Sequence, residues 1–264
     1  MSRFPELVEI VRRLRGPDGC PWDREQTPES LRPCLLEETY EVLEAITAGD
    51  ATELRDELGD LLLQVVMQAE LAAESNRFTI EDVIAAIIAK MIRRHPHVFG
   101  DAVALSSADV LRSWARIKSE ERTRRDTADH SVLGGLPPEL PALNAAHRTG
   151  EKASRVGFDW PSARDALAKV REELAELEQA LVGGDPSRVE HELGDALFAL
   201  ASVGRLADQN AEMALRAALA RFGRRFRRME AWLREGGHDV HATPPEELEA
   251  LWARAKAAES DTAG

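Results

Sequence analysis

Four carboxylates occur twice in this chain at one fixed offset. Glu38, Glu41, Glu57 and Asp60 reappear as Glu173, Glu176, Glu192 and Asp195, each pair 135 positions apart. Gly49, Asp50, Leu58 and Gly59 keep the same register with Gly184, Asp185, Leu193 and Gly194. A repeat of this kind means that one structural unit is used twice, so the 264 residues divide into two domains. A cluster of oxygen ligands recurs inside it, and the chemistry to look for is a hard-metal site.

Helical periodicity dominates and strand alternation is absent, so the class is all-α. Helices are predicted near 3–15, 28–47, 51–75, 80–94 and 107–121, with Thr79 and Asp82 resembling a capping box. The second unit predicts helices near 140–155, 162–182, 186–208, 211–235 and 245–258. Four residues are missing between its second and third core helices, which sets Lys90 and Arg94 opposite Arg221 and Arg225. The expected domains are 1–121 and 140–264, two tandem helical bundles. Between them, residues 122–139 form a linker that is polar and then rich in Gly and Pro.

The net charge of −13 argues against binding a nucleic-acid polymer. It is compatible with a small phosphorylated substrate, because bound cations reverse the local sign. Cys20 and Cys34 lack a CxxC spacing, as in a reduced cytosolic chain, and Cys34 reads as a buried small residue. The charged N-terminus is unlike a signal peptide. The longest uncharged stretch, Leu61 to Ala69, is far short of the ~20 residues that span a bilayer. The expected location is cytoplasmic.

Residues three apart on a helix share a face, so each ExxE and ExxD presents two acids together. Leu54, Leu58, Leu61 and Val65 form an apolar stripe beside Glu57, and Val170, Leu174, Leu177 and Leu181 form one beside Glu173. The acids are therefore expected at the edge of a buried face or within it. A solvated acidic face is the ordinary alternative, and the recurrence on two helices in both halves weighs against it. Ionised carboxylates converging in one bundle repel by roughly 4 kcal/mol per close pair at an effective dielectric near 20. A divalent cation removes that cost, and oxygen-only ligands favour Mg²⁺, with Mn²⁺ as the second choice. Gly59 and Gly194, in mid-helix, are expected to mark a close approach of two helices. His95-Pro96-His97 reads as a helix-terminating loop rather than a metal pair.

LEETYEVLEAI followed by LRDELGDLLLQVV resembles the EExxE…ExxD signature of the MazG nucleoside triphosphate pyrophosphohydrolases. CPWDREQT, RRHPHVFGD and VGFDWP extend that similarity to tandem-domain members over nearly the whole chain. The resemblance implies an all-α homodimer that hydrolyses nucleoside triphosphates to monophosphate and pyrophosphate. It implies Mg²⁺ held by Glu173, Glu176, Glu192 and Asp195, with Glu38, Glu41, Glu57 and Asp60 as the equivalent set. Lys169, Arg188, Arg221, Arg225 and Trp252 match nucleotide-contacting positions. Arg188 and Arg221 stand where relatives carry Lys, which keeps the charge and changes the geometry. Leu219 stands where a related sequence often has Asn.

Arg221 and Arg225, four apart on one helical face, can clamp a phosphate tail; a surface basic stripe is the plain alternative. Trp252 either stacks on a base or packs in the core. Glu172 either orients its neighbour or acts as a base, a solvent residue being the default. The functional expectation is a broad range of NTP and dNTP substrates. The alternatives are a restricted enzyme for dUTP, dCTP or phosphoribosyl-ATP, and a non-catalytic nucleotide-binding dimer. Because Lys90 and Arg94 mirror Arg221 and Arg225, charge is not expected to distinguish the halves. The longer basic helix of the C-terminal unit points to it as the main site.

Overall fold

The computed structural model describes residues 3–103, 106, 109–110, 113–114, 116–117, 121 and 131–260. Much of the helix expected at 107–121, and residues 122–130 of the expected linker, including Arg122 to Arg125, lie outside these residues. The chain splits into two compact units, Met1–Asp126 and Thr127–Gly264. The regular structure of the described residues is helical, with no strand among them.

The first unit comprises α1 (Phe4–Arg15), α2 (Pro21–Glu25), α3 (Arg32–Ala48), α4 (Ala51–Glu74), α5 (Ile80–Arg94) and α6 (Pro96–Phe99). The second comprises α7 (Ala142–Ser154), α8 (Ala163–Gly183), α9 (Pro186–Leu206), α10 (Ala211–Glu235), a 3-10 turn at Val240–Ala242 and α11 (Pro245–Ser260). The two carboxylate-bearing pairs, α3 with α4 and α8 with α9, are the most closely packed helices of their units. The capping box at Thr79 is formed, and Asn210 caps α10 in the equivalent place. Those two caps are 131 positions apart: α9, with 21 residues, is three shorter than α4, with 24, and the connection after it is one shorter, which together make the four-residue deletion. Helix α5 ends at Arg94, and Pro96, which cannot continue it, opens the single turn of α6.

In the first unit Val8, Val11, Leu31, Val66, Met67 and Leu71 form the core, with half-buried Cys34 against it. The buried face of α4 is thus Val66, Met67, Ala69, Leu71 and Ala72, not the stripe expected from periodicity. Within one chain Leu58 is 48% and Val65 40% exposed. The second stripe behaves alike: Val170 is buried, whereas Leu174 and Leu181 are exposed. Gly59 and Gly194 correct a second expectation, since a Cβ at either would meet nothing within 4 Å. No described helix of the same chain closes on them. Periodicity located apolar faces correctly but could not say whether the chain itself covers them.

Candidate active site

A turn of Gly and Asp joins each carboxylate pair. Gly49 and Gly184 end their helices at φ +74° and +69°, a left-handed conformation that glycine adopts without a Cβ clash. The next residue caps the following helix: Asp50 accepts from the Thr52 and Glu53 N–H groups, and Asp185 from Ser187. Across so short a turn, residues equidistant from it on the two helices come opposite each other. Glu41 then faces Glu57, and Glu176 faces Glu192, with Glu38 and Glu173 one turn away opposite Asp60 and Asp195. The ExxE and ExxD spacings and the Gly-Asp turn are one geometric device.

Among the described residues two acidic groups have carboxylate oxygens all within 4.8 Å of one another: Glu38, Glu41 and Glu57, and Glu173, Glu192 and Asp195. Each brings together three of the four acids expected, and a different one lies outside that distance, Asp60 in the first and Glu176 in the second. Both remain electrostatically part of their groups. Loss of water contact, then Glu41 and Asp60, push the Glu38 carboxyl up. The same causes raise Glu57. Glu176 is raised by loss of water contact first and then by Glu192 and Glu173. Carboxyls that ionise reluctantly because other acids face them are suited to a cation. All the donors are carboxylate oxygens, the set that hard divalent ions take. Glu173 and Glu192 are only 5% and 8% exposed, which dismisses a solvated acidic face for them.

The second group carries basic partners of its own. The Lys169 ammonium donates to Glu172 at 2.7 Å and lies 2.8 Å from Glu173. Glu172 first and Glu173 second hold that ammonium above its ordinary range. Arg188 Nε lies 3.6 Å from Glu192, and His191 Nε2 3.4 Å from Asp195, each one helical turn away. His191 was not among the expected residues. At the 135-residue offset, Cys34 stands for Lys169 and Glu53 for Arg188. Charge therefore does distinguish the halves, contrary to the expectation drawn from Lys90 and Arg94 alone. Glu172 is exposed and bonded to Lys169.

Arg221 is exposed on α10. Arg225, one turn on, is half-buried and donates through Nε to Glu259 on α11 at 2.8 Å. Trp252 packs on Phe222 with ring centroids 4.9 Å apart and lies 5.9 Å from the Arg225 guanidinium carbon. Trp252 is thus part of the α10–α11 packing. Arg224, Arg225, Arg228, Ala255 and Glu259 line a cavity of about 300 Å³. Glu259 was missed from sequence, although a signal for it exists in the same repeat.

A family model for the MazG nucleotide pyrophosphohydrolase domain matches twice, over residues 26–99 and 162–231. Those segments contain α3–α5 and most of α8–α10, the helices that carry the carboxylates and arginines. The nucleoside triphosphate pyrophosphohydrolase/pyrophosphatase MazG of Thermotoga maritima is 44% identical over 253 residues, covering 96% of this chain and 95% of the relative. The nucleoside triphosphate pyrophosphohydrolase of Escherichia coli K12 is 44% identical over 266 residues, covering 99% and 100%. With both units matched and two such relatives aligned end to end, the chain belongs to the MazG nucleotide pyrophosphohydrolase family.

Proposed function

We propose that this chain is a nucleoside triphosphate pyrophosphohydrolase, releasing monophosphate and pyrophosphate from NTPs and dNTPs of broad base range with Mg²⁺ or Mn²⁺. Family membership and the names of the aligned relatives support the activity. The observation that carries the mechanism is the group Glu173, Glu192 and Asp195, with Lys169 and Arg188 in ion pairs at its edges. When bound there, the metal ion would polarise the phosphoryl oxygen and lower the pKa of the attacking water.

The remaining work falls to side chains. Glu173, Glu192 and Asp195 would hold the cation, and Glu176 completes the acidic wall. Lys169 and Arg188 neutralise the flank and meet the polyphosphate, whose charge the acids alone would repel. Arg221 and Arg225 bind the β- and γ-phosphates and stabilise the pyrophosphate as it leaves. The water oxygen bonds to the α-phosphorus, the α–β bridging oxygen departs with the pyrophosphate, and the water proton passes to a carboxylate of the group or to solvent. Trp252 offers an aromatic face, and stacking tolerates every base.

The C-terminal unit is the working one, because only its acids carry the Lys169 and Arg188 charges that a triphosphate needs. The exposed Leu174, Leu193 and Leu197, with the open lane beside Gly194, support a homodimer that covers these helices. Light scattering is expected to give twice the 29.2 kDa chain mass, and a strict monomer at micromolar concentration would remove the dimer. No described helix is long and apolar enough to cross a membrane. Incubation with each common NTP and dNTP plus Mg²⁺ tests the reaction. Monophosphate with pyrophosphate is expected from most of them. Turnover confined to one base would replace the broad reading with the restricted one, and no turnover would leave a binding protein.

A further inference from the structure

The internal repeat extends past the acids and basic helices. Trp114, Ala115, Arg116, Lys118 and Glu121 recur in the same order and spacing as Trp252, Ala253, Arg254, Lys256 and Glu259, at an offset of 138. Within each run the Trp and Glu are seven positions apart, the spacing of two helical turns, and in the second unit they share one face of α11. In the second unit that face also carries Ala255, which is fully buried.

Both glutamates reach the same arginine of their unit. Glu259 accepts from Arg225 Nε at 2.8 Å, while its other oxygen lies 3.7 Å from Arg224 Nε. Glu121 accepts from Arg94 Nη2 at 2.6 Å and from Arg93 Nε at 2.8 Å. Arg94 is the counterpart of Arg225. The tryptophans act alike: Trp252 packs on Phe222 of α10, and Trp114 meets His95 edge-on at 5.0 Å, just past α5. The plain alternative is a surface ion pair, and an exposed pair contributes little. Against it, Arg225 and Glu259 are only 23% and 25% exposed. The pairing also forms twice, in separate stretches of chain.

We propose that Glu259 is a positioning residue for Arg225. It anchors the guanidinium through the inner Nε, a bond that does not use the terminal amino groups, so the planar fork is held fixed for phosphate oxygens. Trp252 closes the side of the same guanidinium. In the first unit the equivalent glutamate bonds Arg94 through Nε, at 3.4 Å, and through Nη2 as well, and engages Arg93 too. One arm of its fork is thus engaged by the protein, in line with a weaker N-terminal site. This inference rests on the assignment of Arg225 to the nucleotide.

The test uses the full chain and its turnover of a nucleoside triphosphate with Mg²⁺, comparing Glu259→Ala, Glu259→Gln and Arg225→Ala, with thermal melting of each. Glu259→Ala is expected to raise KM about tenfold while kcat changes by less than about threefold, the signature of lost substrate binding rather than lost chemistry. Glu259→Gln keeps an oxygen acceptor for Nε and is expected to restore most of the affinity. Added to Arg225→Ala, Glu259→Ala is expected to have no further effect on KM. A purely structural role would lower the melting temperature and the active fraction but leave KM alone, and that result overturns the proposal. A fall in KM overturns it too, because Glu259 would then compete with phosphate. If Arg225→Ala raises KM and Glu259→Ala does not, only the positioning role fails. If Arg225→Ala leaves KM unchanged, the nucleotide role of Arg225 fails and this role with it.

Discussion

Arg205→Ala should weaken the C-terminal unit by about 2 kcal/mol, because Arg205 on the last turn of α9 ties down the loop that leads into α8. Its Nη1 and Nη2 donate to the two Asp159 oxygens at 3.0 and 2.5 Å, with side chains 10% and 22% exposed. Its stem also lies over Gly150, where an added Cβ would come within 2.6 Å of Arg205 Nε. Breaking a fully buried pair costs about 3–5 kcal/mol. Here Asp159 keeps some water contact and a bond from the Trp160 N–H, which lowers the cost to about 2 kcal/mol. For a unit of this size that corresponds to a melting shift of about 6 °C.

Chemical denaturation with two-transition fitting reads it, since only the C-terminal transition should move. Arg205 holds the Asp159 carboxyl below its usual range, with the Trp160 N–H adding to the effect. A folded pKa lowered in this way contributes stability above the unfolded value of about 4 that is lost as pH falls through the folded one. The difference between wild type and variant should therefore be full at neutral pH and shrink below about pH 4. A double-mutant cycle with Asp159→Ala that proved additive, or a difference constant down to acid pH, would refute the pair as the cause.

Gly184→Ala should destabilise the α8–α9 turn by about 1–2 kcal/mol in a denaturant melt, because its φ of +69° strains a residue bearing a Cβ. Open space around it would make the substitution neutral if volume alone mattered. Leu31→Ala in the first core should cost about 3 kcal/mol in the N-terminal transition and leave turnover at the C-terminal site intact. Lys169→Met should raise nucleotide KM at least about tenfold, a charge-assisted contact being lost; an unchanged KM would take Lys169 out of the substrate site.

The repeat made most of the fold legible, because helix periodicity and the Gly49-Asp50 and Gly184-Asp185 turns are local signals. The core bounded by Val66, Met67 and Leu71 was misread, because two apolar faces run along α4 and the sequence does not say which one its own chain covers. Gly59 and Gly194 failed as markers of close approach for a related reason, since their neighbours are not supplied within the chain. The meeting of Glu173, Glu192 and Asp195 followed from spacing on either side of a tight turn. Their Lys169 and Arg188 partners also lay in the sequence, one turn before each acid. Glu259 escaped because its partner Arg225 is on another helix, and only a search for repeats beyond the acids would have found it.

The decisive comparison is of paired alanine variants in the two units, with products resolved after Mg²⁺-dependent turnover. Glu38→Ala with Glu41→Ala should leave most of the monophosphate and pyrophosphate formation. Glu173→Ala with Glu176→Ala should abolish it while the helical content stays unchanged. Activity that survives loss of Glu173 and Glu176 but disappears with Glu38 and Glu41 would place the working centre in the N-terminal unit. Diphosphate and phosphate as products would show that a different bond is broken.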